Sequence, residues 1–567
     1  MPDENEMITV SFQPDGRKVK VPRGSTILEA AVRGGIGVEG PCGGQGTCGK
    51  CKVRVVPYLG ERPPDTLPAD REALTADELH EGLRLACRVR LRSDCTIEVP
   101  KDSRMYKHLI LMTGLESATV PVPNVTAKVQ ELESGEKMTY VLFGDKVVAK
   151  HKGENLAVYG AAIDLGTTTV VCHLVDLKDG DTVKSTVALN PQVVRGDDVI
   201  TRIKFASTTE GYEEMVHKAR DVVNSLIKEA CKEASVNPKT VFEVVFAGNT
   251  CMHHFFFGLP VDTLGQAPYL PAHTGPLTAP AKKLGLEISP VAQVYALPVF
   301  AGFLGSDAAA VALTAALDAY TGTRLALDIG TNGEIMLCTK GKIHGCTSPA
   351  GPAFEGAQIS CGMRASTGAI SYVKVDSGKL VYSVVGGVKP RGITGSGLVD
   401  IAAHLLKAGL MDSSGKLKED VKGAVRHGAD GLELVVAPKE ATDTGKDIVV
   451  TQKDIRQLQL AKAAIASGIS ITLSVAGITP EDIDDIYIAG AFGNYIDRHS
   501  AMDIGLIPRI DPKKIVSIGN AAAIGAKRAL VSMTERARAE NIQKRMNHID
   551  LAGRKDFQEV FMAHINF

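Results

Sequence analysis

The chain lacks the features that would assign it to the nucleic-acid-binding or the membrane proteins. Its 64 Lys and Arg residues balance 65 Asp and Glu residues, so no charge bias indicates a polyanionic partner. No run of eighteen apolar residues occurs, and the acidic start MPDENEMITV is unlike a signal peptide. We therefore expect a soluble, cytoplasmic protein with no nucleic-acid and no membrane partner. A length of 567 residues predicts several domains.

Cysteine forms only one C-x-x-C pair, which argues against a structural zinc site, since zinc ligands usually come in two short pairs. A [2Fe–2S] cluster instead needs four thiolates, and a Gly-rich loop can supply three of them while a later segment supplies the fourth. The stretch PCGGQGTCGKC and the later LACRV fit this pattern. The predicted cluster ligands are Cys42, Cys48, Cys51 and Cys87. The further cysteines predict a reducing compartment.

The surroundings of these cysteines predict a complete small domain. MITVSFQPDGRKVKVPRGS predicts two strands around a turn, and TILEAAVRGG predicts a short helix. Hairpin, helix and cluster loop in this order resemble a β-grasp ferredoxin, which we assign to residues 1–100. Five residues separate the first two cysteines, as in adrenodoxin-like ferredoxins. Cys95 is interpreted as a buried thiol outside the cluster.

A linker and a small module are predicted to follow. Residues 101–125 combine a helix-prone stretch with the Pro-containing segment PVPNV. Residues 126–158 alternate apolar and polar residues, which predicts a small β-rich spacer. The spacer could act as a hinge, with its pivot at Val120–Val125, or as a rigid strap.

The remainder contains an internal duplication. YGAAIDLGTTTVVCHLVD and TRLALDIGTNGEIMLCT each predict an apolar strand, a D-x-G-T turn and a second apolar strand, with the two Asp residues 164 positions apart. Glycine lets such a turn approach phosphate, and Thr or Asn adds hydrogen-bond donors. Two such hairpins, each opening an α/β segment, resemble the actin, sugar-kinase and heat-shock-70 (ASKHA) ATPases, whose two lobes close on ATP. The predicted lobes are 159–320 and 321–567.

This resemblance implies the roles of individual residues. Asp164 and Asp328 would be catalytic, orienting Mg²⁺ and water, and the loops after them would hold the phosphates. Strand–glycine–helix turns at ITGSGLVD and IAGAFGNYID would contact adenosine or an anion. The implied ATP-binding residues are Gly166, Thr167, Thr168, Gly330, Thr331, Asn332, Gly333, Gly395, Gly397, Gly490, Phe492 and Gly493. The predicted fold class is thus multidomain α+β and α/β: ferredoxin, β-rich spacer and ASKHA ATPase.

A ferredoxin fused to such an ATPase resembles the reductive activators of corrinoid enzymes in methyltransferase systems. The matching segments include NPQVVRGDDVITRI, AGNTCMHH, SPAGPAFEGAQISCGMRASTGAI and AGAFGNYID. The resemblance implies ATP-dependent transfer of one electron from a [2Fe–2S] cluster to a corrinoid protein, which converts inactive Co(II) to Co(I). An external low-potential donor must reduce the cluster. Raising an electron by ~100 mV requires about 2.3 kcal/mol, which ATP could supply.

Contacts with the corrinoid partner are predicted after the first-lobe turn, where ATP should not lie; a packed helix start is the alternative. These candidates are Asn249, Thr250, Met252, His253 and His254. A second candidate group, at the edge of the cleft or else in loop capping, is Asn190, Gln192, Asp198 and Arg202. The Gly-rich FEGAQISCGMRA, with Glu355, Cys361 and Arg364, is interpreted as a mobile cleft loop.

Two other functions fit the same motifs. One is a kinase of the ASKHA superfamily whose ferredoxin senses redox state, which would form a phosphorylated product. The other is an ATP-driven, chaperone-like clamp with a structural cluster, which would work without it. A homodimer is compatible with each reading.

Overall fold

The computed structural model shows an N-terminal sheet, a small spacer sheet and two large sheets that face each other. It describes residues 6–14, 16–34, 36, 38, 44, 46, 49, 51–56, 66–100, 103, 119–154, 156–196, 198–376, 379–419, 425–429 and 431–567. Cys42, Cys48 and most of the predicted 101–125 linker lie outside these residues. The predicted fold class is confirmed in its three parts.

The N-terminal region is a β-grasp domain, as predicted. Five strands pair in the order β2-β1-β5-β3-β4, with β1 antiparallel to β2 and parallel to β5. Alternate residues of β1, including Val10 and Phe12, point into its own apolar core. Cys95 is half-buried, so the prediction of a buried thiol is wrong. The elements are β1 (Met7–Gln13), β2 (Arg17–Pro22), α1 (Ile27–Arg33), β3 (Lys52–Val56), α2 (Pro68–Ala73), α3 (Ala76–His80), β4 (Leu83–Leu85) and β5 (Cys95–Glu98).

The spacer is a three-stranded antiparallel sheet fastened to the lobes. Its strands are β6 (Val125–Glu131), β7 (Lys137–Phe143) and β8 (Lys146–Lys152). Val141 packs into the core shared with the first lobe. The backbone N–H of Val122 donates to the carbonyl of Val531, and the carbonyl of Val122 accepts from Met533. These contacts favour the strap interpretation, since a pivot at Val120–Val125 would have to break both hydrogen bonds of Val122.

The first lobe is built on a six-stranded sheet in the order β11-β10-β9-β12-β14-β13. Strand β12 is buried along its whole length, because helices cover both faces of its parallel neighbours. The elements are β9 (Tyr159–Leu165), β10 (Thr169–Asp176), β11 (Thr182–Leu189), α4 (Val199–Phe205), α5 (Thr209–Glu233), β12 (Val241–Gly248), α6 (Thr250–Phe257), β13 (Gly275–Pro280), β14 (Gln293–Val299) and α7 (Ser306–Thr314).

The second lobe repeats this plan, which confirms the duplication. Its main sheet has the order β25-β24-β15-β16-β17-β26, with the hairpin β15–β16 antiparallel and β15 parallel to β24. Two small sheets, β19-β18-β20 and β21-β22-β23, are added. The strands are β15 (Arg324–Ile329), β16 (Gly333–Thr339), β17 (Lys342–Ser348), β18 (Ala369–Asp376), β19 (Lys379–Val384), β20 (Gly392–Ile393), β21 (Val425–Gly428), β22 (Gly431–Ala437), β23 (Ile448–Thr451), β24 (Asp485–Ala489), β25 (Ile515–Gly519) and β26 (Met546–His548).

The helices of the second lobe cover its sheet and reach into the first lobe. They are α8 (Gly395–Lys407), α9 (Gln452–Ala476), α10 (Gly490–Tyr495), α11 (Arg498–Asp503), α12 (Ala521–Val531), α13 (Met533–Arg545) and α14 (Phe557–Ala563). Among the residues that the structure describes, α9 alone has the length and hydropathy of a membrane span, but 78% of its apolar stretch is buried inside the protein. It is the central core helix of the second lobe.

Helices α7 and α12 lie against each other between the two large sheets. Both are rich in alanine, and most of their residues are fully buried in one core with the first-lobe sheet. A Cβ atom at Gly525 would lie 2.2 Å from the carbonyl oxygen of Ala310, so only glycine permits this approach. The last part of the chain thereby completes the core of the first lobe.

Candidate functional site

The two D-x-G-T hairpins meet at one cleft between the lobes. Asp164 lies near the end of β9, just before the turn to β10, and Asp328 lies near the end of β15, just before the turn to β16. A cavity of about 270 Å³ lies between them. The predicted site residues that line it are Asp164, Gly166, Thr167, Thr168, Asn249, Asp328, Gly330, Thr331, Asn332, Glu355, Arg364, Gly395, Gly490 and Phe492. Residues from six separate segments therefore converge on this cleft.

Five acidic residues line this cleft, namely Asp164, Asp307, Asp328, Glu334 and Glu355. Burial raises the pKa of Asp164 to about 7; the Asn520 amide opposes this rise and the nearby Asp328 adds to it. Burial likewise raises the pKa of Asp328 to about 6 and that of Asp307 to about 7. The pKa of Glu334 is raised well above its usual range, first by burial and then by Asp307 and Asp328. Ionising all of these carboxyl groups together is therefore opposed both by desolvation and by their mutual repulsion.

Asp307 was not identified from the sequence. Its segment is fixed by two close contacts: Ser306 exchanges hydrogen bonds with the backbone of Gly248 at 2.9 and 3.0 Å, and a Cβ atom at Gly305 would lie 2.6 Å from the Asn249 Cα atom. These contacts place the start of α7 beside the end of β12. The sequence carries no local signal for Asp307, because its place in the cleft depends on this packing between distant segments.

Two asparagines orient the first hairpin. Asn520, at the start of α12, donates from Nδ2 to Oδ2 of Asp164 at 3.1 Å. Asn249 donates from Nδ2 to the hydroxyl of Thr167 at 2.8 Å. Asn249 is only 7% exposed and faces the cavity, so it belongs to the cleft rather than to a partner surface. Asn520 was missed because it enters the first-lobe site from the far end of the sequence.

Glu355 joins the loops of the two hairpins. Its Oε1 accepts from the hydroxyl of Thr331 at 2.6 Å, and its Oε2 from that of Thr168 at 3.4 Å. The guanidinium of Arg364 lies 3.9 Å from Oε2. The prediction that this segment borders the cleft is thus confirmed for Glu355 and Arg364, whereas Cys361 lies away from the cavity and contacts the backbone of Val449.

The far end of the cleft is apolar and glycine-lined. The rings of Phe354 and Phe492 lie 4.8 Å apart, and a Cβ atom at Gly395 would lie 2.1 Å from the Phe354 carbonyl oxygen. At Gly490, where φ is +81°, a Cβ atom would lie 2.9 Å from Oδ1 of Asp328. Bare backbone and aromatic faces of this kind suit a purine ring. Thr394 caps α8 beside them through its hydroxyl.

Three predicted ATP-binding glycines lie outside the cavity lining. A Cβ atom at Gly333 would lie 2.0 Å from Ile465, one at Gly397 2.6 Å from the Ile370 carbonyl oxygen, and one at Gly493 2.7 Å from Ile488. Each of these glycines is required by packing within the second lobe, and its contact with nucleotide stays a prediction.

The predicted partner residues on α6 are buried. Thr250, Met252, His253 and His254 are at most 1% exposed. Burial lowers the pKa of His254 to about 4 and that of His253 well below its usual range. A backbone carbonyl and the N–H of Ala272 contact the two ring nitrogens of His254 at 2.8 and 3.0 Å. Contact of these four residues with a corrinoid partner is thus wrong, and the packed helix start is right.

The second candidate group also serves the fold. Gln192 and Arg202 are fully buried, and Arg202 donates to the carbonyl of Gly196 at 2.7 Å. Asp198 caps α4, and Asn190 caps the 3₁₀ turn Pro191–Arg195. The cavity lining contains none of the four, so the loop-capping alternative is right and the cleft-edge interpretation is wrong.

Two of the four predicted cluster ligands lie in the described part of the chain. The sulfur atoms of Cys51 and Cys87 are 3.4 Å apart, too far for a disulfide and close to the spacing of two sulfur ligands on one tetrahedral metal. Gly44, Gly46 and Gly49 all have positive φ, so the loop curls in a way that only glycine adopts easily. The residues present therefore fit a [2Fe–2S] cluster.

Comparisons with known proteins cover the whole arrangement. Residues 10–92 match a "2Fe-2S iron-sulfur cluster binding domain", residues 159–320 the "RACo middle region", and residues 322–567 the "C-terminal domain of RACo the ASKHA domain". The chain is 33% identical to the corrinoid activation enzyme RamQ of Eubacterium limosum, over 97% of each chain. The chain belongs to the RACo family.

Two further RACo-like proteins agree. A [Co(II) methylated amine-specific corrinoid protein] reductase of Methanosarcina barkeri is 26% identical over 72% of this chain and 77% of its own. A solved structure, the "Reductive activator for corrinoid,iron-sulfur protein", superposes with a TM-score of 0.74 at 34% identity, covering 99% of this chain and 98% of that one. The predicted resemblance is confirmed: this RACo-family protein has a [2Fe–2S] domain and a nucleotide-binding ASKHA domain. None of these three relatives is named a kinase or a chaperone.

Proposed function

We propose that this protein uses ATP to drive one-electron reduction of a corrinoid protein from Co(II) to Co(I). The observation that carries this proposal is the convergence of Asp164 and Asp328, from the two lobes, on one cleft in a chain that also bears the paired thiols Cys51 and Cys87. Full-length similarity to a corrinoid activation enzyme supports the same reading. When bound, the [2Fe–2S] cluster supplies a site that accepts and donates one electron at a time.

The cleft supports binding of ATP with its phosphates between the hairpin loops. Hydroxyl groups of Thr167, Thr168 and Thr331 line the cavity, together with the backbone of Gly330. Turns of this type direct backbone N–H groups at anions. The adenine end of the nucleotide then lies toward Phe354 and the turns that contain Gly395 and Gly490. Nucleotide contact by Gly166, Asn332, Gly395, Gly490 and Phe492 belongs to this proposal.

We include magnesium in the proposed site because its donors are all oxygen. Asp164, Asp307, Asp328 and Glu334 line the cavity, and Mg²⁺ prefers carboxylate, water and phosphate oxygen ligands. Their raised pKa values mean that protons compete with the cation near neutral pH. Asp164 would be held in place for this role by its hydrogen bond from Asn520.

Asp307 is the group best placed to orient a water molecule for hydrolysis. It projects from the start of α7 into the same cavity, and it interacts electrostatically with both hairpin carboxyl groups. A carboxyl group whose pKa is about 7 can accept a proton at neutral pH.

The proposed function also needs a source of electrons. An external low-potential donor in the cytoplasm must reduce the [2Fe–2S] cluster.

The test is visible spectroscopy under anaerobic conditions. A Co(II) corrinoid protein is mixed with this protein, a reductant and Mg·ATP, and the growth of the Co(I) spectrum is followed. We expect Co(I) only when ATP is present. Asp164→Ala should abolish the reaction and leave the cluster spectrum unchanged, and the exposed Asp181→Ala should act like the unaltered protein. Full reduction without ATP, or by Asp164→Ala, would disprove the proposal, and a phosphorylated small molecule would favour the kinase alternative.

A further inference from the structure

A short segment of the first lobe contacts the ferredoxin domain. This segment, the 190–195 connector, consists of Asn190 and the 3₁₀ turn Pro191–Arg195. Val194 is 5% exposed and packs among the core residues of the ferredoxin domain, although it belongs to the first lobe. Its carbonyl oxygen would lie 3.0 Å from a Cβ atom at Gly44, a residue of the cluster loop. The connector thus approaches that loop at Gly44.

An ion pair holds the same contact. The guanidinium of Arg195 lies 3.0 Å from Oε1 of Glu29 on α1 of the ferredoxin domain. Within its own lobe, Arg195 pairs with Glu214 at 2.8 Å and lies 4.9 Å from the centre of the Phe205 ring, so its position is set by the lobe. Both partners of the interdomain pair are part-exposed, and such pairs are weak. The ion pair therefore adds little to the contact that Val194 makes with the ferredoxin core.

At the other end of the connector, Asn190 is hydrogen-bonded to the 166–168 loop, the first of the two predicted phosphate-binding loops. Asn190 is fully buried. Its backbone N–H donates to the carbonyl of Thr168 at 2.8 Å, and its side-chain Nδ2 donates to the carbonyl of Gly166 at 2.9 Å. Asn190 also caps the turn by accepting from the N–H of Gln192 at 3.0 Å. A displacement of the 166–168 loop must therefore move the connector or break buried hydrogen bonds.

We infer that the 190–195 connector transmits nucleotide occupancy to the ferredoxin domain: phosphates on the 166–168 loop release that domain from the first lobe. The inference rests on the proposed ATP site. Thr168 now bonds to Glu355, and bound phosphates replace that contact, which shifts the loop and with it Asn190. Release uncovers the cluster loop at Val194, so the cluster can approach an acceptor protein when ATP is bound.

The inference can be tested through nucleotide affinity, because coupling between two binding events is reciprocal. If nucleotide weakens docking of the ferredoxin domain, then weakened docking must tighten nucleotide binding by the same factor. Glu29→Gln removes the charge that pairs with Arg195, while the glutamine can still accept the capping hydrogen bond from Thr26, now 2.8 Å. We expect this variant of the full-length holoprotein to bind a non-hydrolysable Mg·ATP analogue about fivefold more tightly by titration calorimetry.

Two control variants distinguish coupling through the 190–195 connector from coupling through other contacts. Glu6→Gln breaks an exposed ion pair with Arg23 in the same domain and should leave nucleotide affinity unchanged. Lys446→Gln removes the 3.5 Å contact between Glu78 and the second lobe. If that variant shifts the affinity and Glu29→Gln does not, coupling runs through the second lobe and the inference is wrong. An unchanged or weaker affinity of Glu29→Gln also overturns it.

Hydrogen exchange supplies a second readout. Saturating analogue should speed amide exchange in residues 27–34 of the ferredoxin domain and in 190–196 of the unaltered holoprotein. In an Asn190→Ala background, Glu29→Gln should no longer change the nucleotide affinity. If Asn190→Ala does not fold, the affinity of the Glu29→Gln single variant decides the test. Equal exchange with and without analogue overturns the inference. A holoprotein that binds no nucleotide at all refutes the proposed ATP site as well, which distinguishes the two failures.

Discussion

Replacing Asp164 by asparagine should stabilise the nucleotide-free protein at pH 8, although it should abolish ATP-dependent activity. Asp164 is part-buried in the cleft among other carboxyl groups, and desolvation raises its pKa to about 7 from an ordinary value of 3.8. An asparagine occupies the same space without charge, and its oxygen can still accept the hydrogen bond from Asn520. The substitution therefore removes a charge that the empty cleft solvates poorly.

The magnitude follows from the difference between the two pKa values. Because the folded-state pKa is raised, the protonated carboxyl group contributes its full stability only below about pH 4, and this contribution is lost as the pH rises through 7. A difference of about three pKa units corresponds to roughly 4 kcal/mol at pH 8, as an upper limit. At pH 5 the same reasoning gives less than about 2 kcal/mol. The gain from Asp164→Asn should thus grow with pH.

Differential scanning calorimetry of metal-free protein at pH 5 and pH 8 measures this. A kilocalorie corresponds to about 2–4 °C in a domain of this size, so we expect Tm of the ATPase transition to rise by several degrees at pH 8. Asp181→Asn is the control, since its side chain is exposed. Saturating Mg·ATP should reduce the difference, because it stabilises the carboxylate form only. A Tm for Asp164→Asn that is equal or lower at pH 8 would refute the reasoning.

Three further outcomes are expected. Serine at any one cluster position should remove the visible spectrum and the two irons per chain, while Cys95→Ser, measured by the same iron analysis, keeps both; the positions are Cys42, Cys48, Cys51 and Cys87. Asp328→Ala should lose Co(I) formation but retain the cluster spectrum, because the two sites lie in separate domains. Glu355→Gln should bind Mg·ATP about fivefold more tightly in calorimetry, since it removes a negative charge between the phosphate loops worth about 1 kcal/mol. A weaker affinity of Glu355→Gln would show that its charge assists binding.

Local patterns were sufficient for the hairpins and insufficient for what surrounds them. Asp164 and Asp328 follow apolar strands in a repeated turn, and such a signal is contained within a few residues. Asp307 and Asn520 reach the cleft only through the packing of α7 and α12, which no local pattern encodes. The prediction that the α6 histidines contact a partner was wrong for a related reason. A polar pair at a helix start has the same sequence whether it faces solvent or, as His254 does, a buried backbone.

The glycine-rich turns also show that local sequence does not identify every residue of the site. Gly395 and Gly397 open one helix, yet only the first lines the cavity. A Cβ atom at Gly397 would meet the Ile370 carbonyl oxygen, so the residue is required by a contact between elements that lie apart in the sequence. A Gly-rich turn therefore predicted the position of the site but could not separate residues that touch a ligand from residues that permit packing.

The exchange of α12 into the first lobe has a consequence for biosynthesis. The apolar surface of the first-lobe sheet and α7 is covered by Ala522, Ala526 and Leu530, which the ribosome adds long after the sheet is complete. At about 5–20 residues per second, the intervening ~200 residues take roughly 10–40 s. During that time the nascent first lobe exposes a groove lined with alanine and valine. The first lobe therefore completes its core only after most of the second lobe has been synthesised.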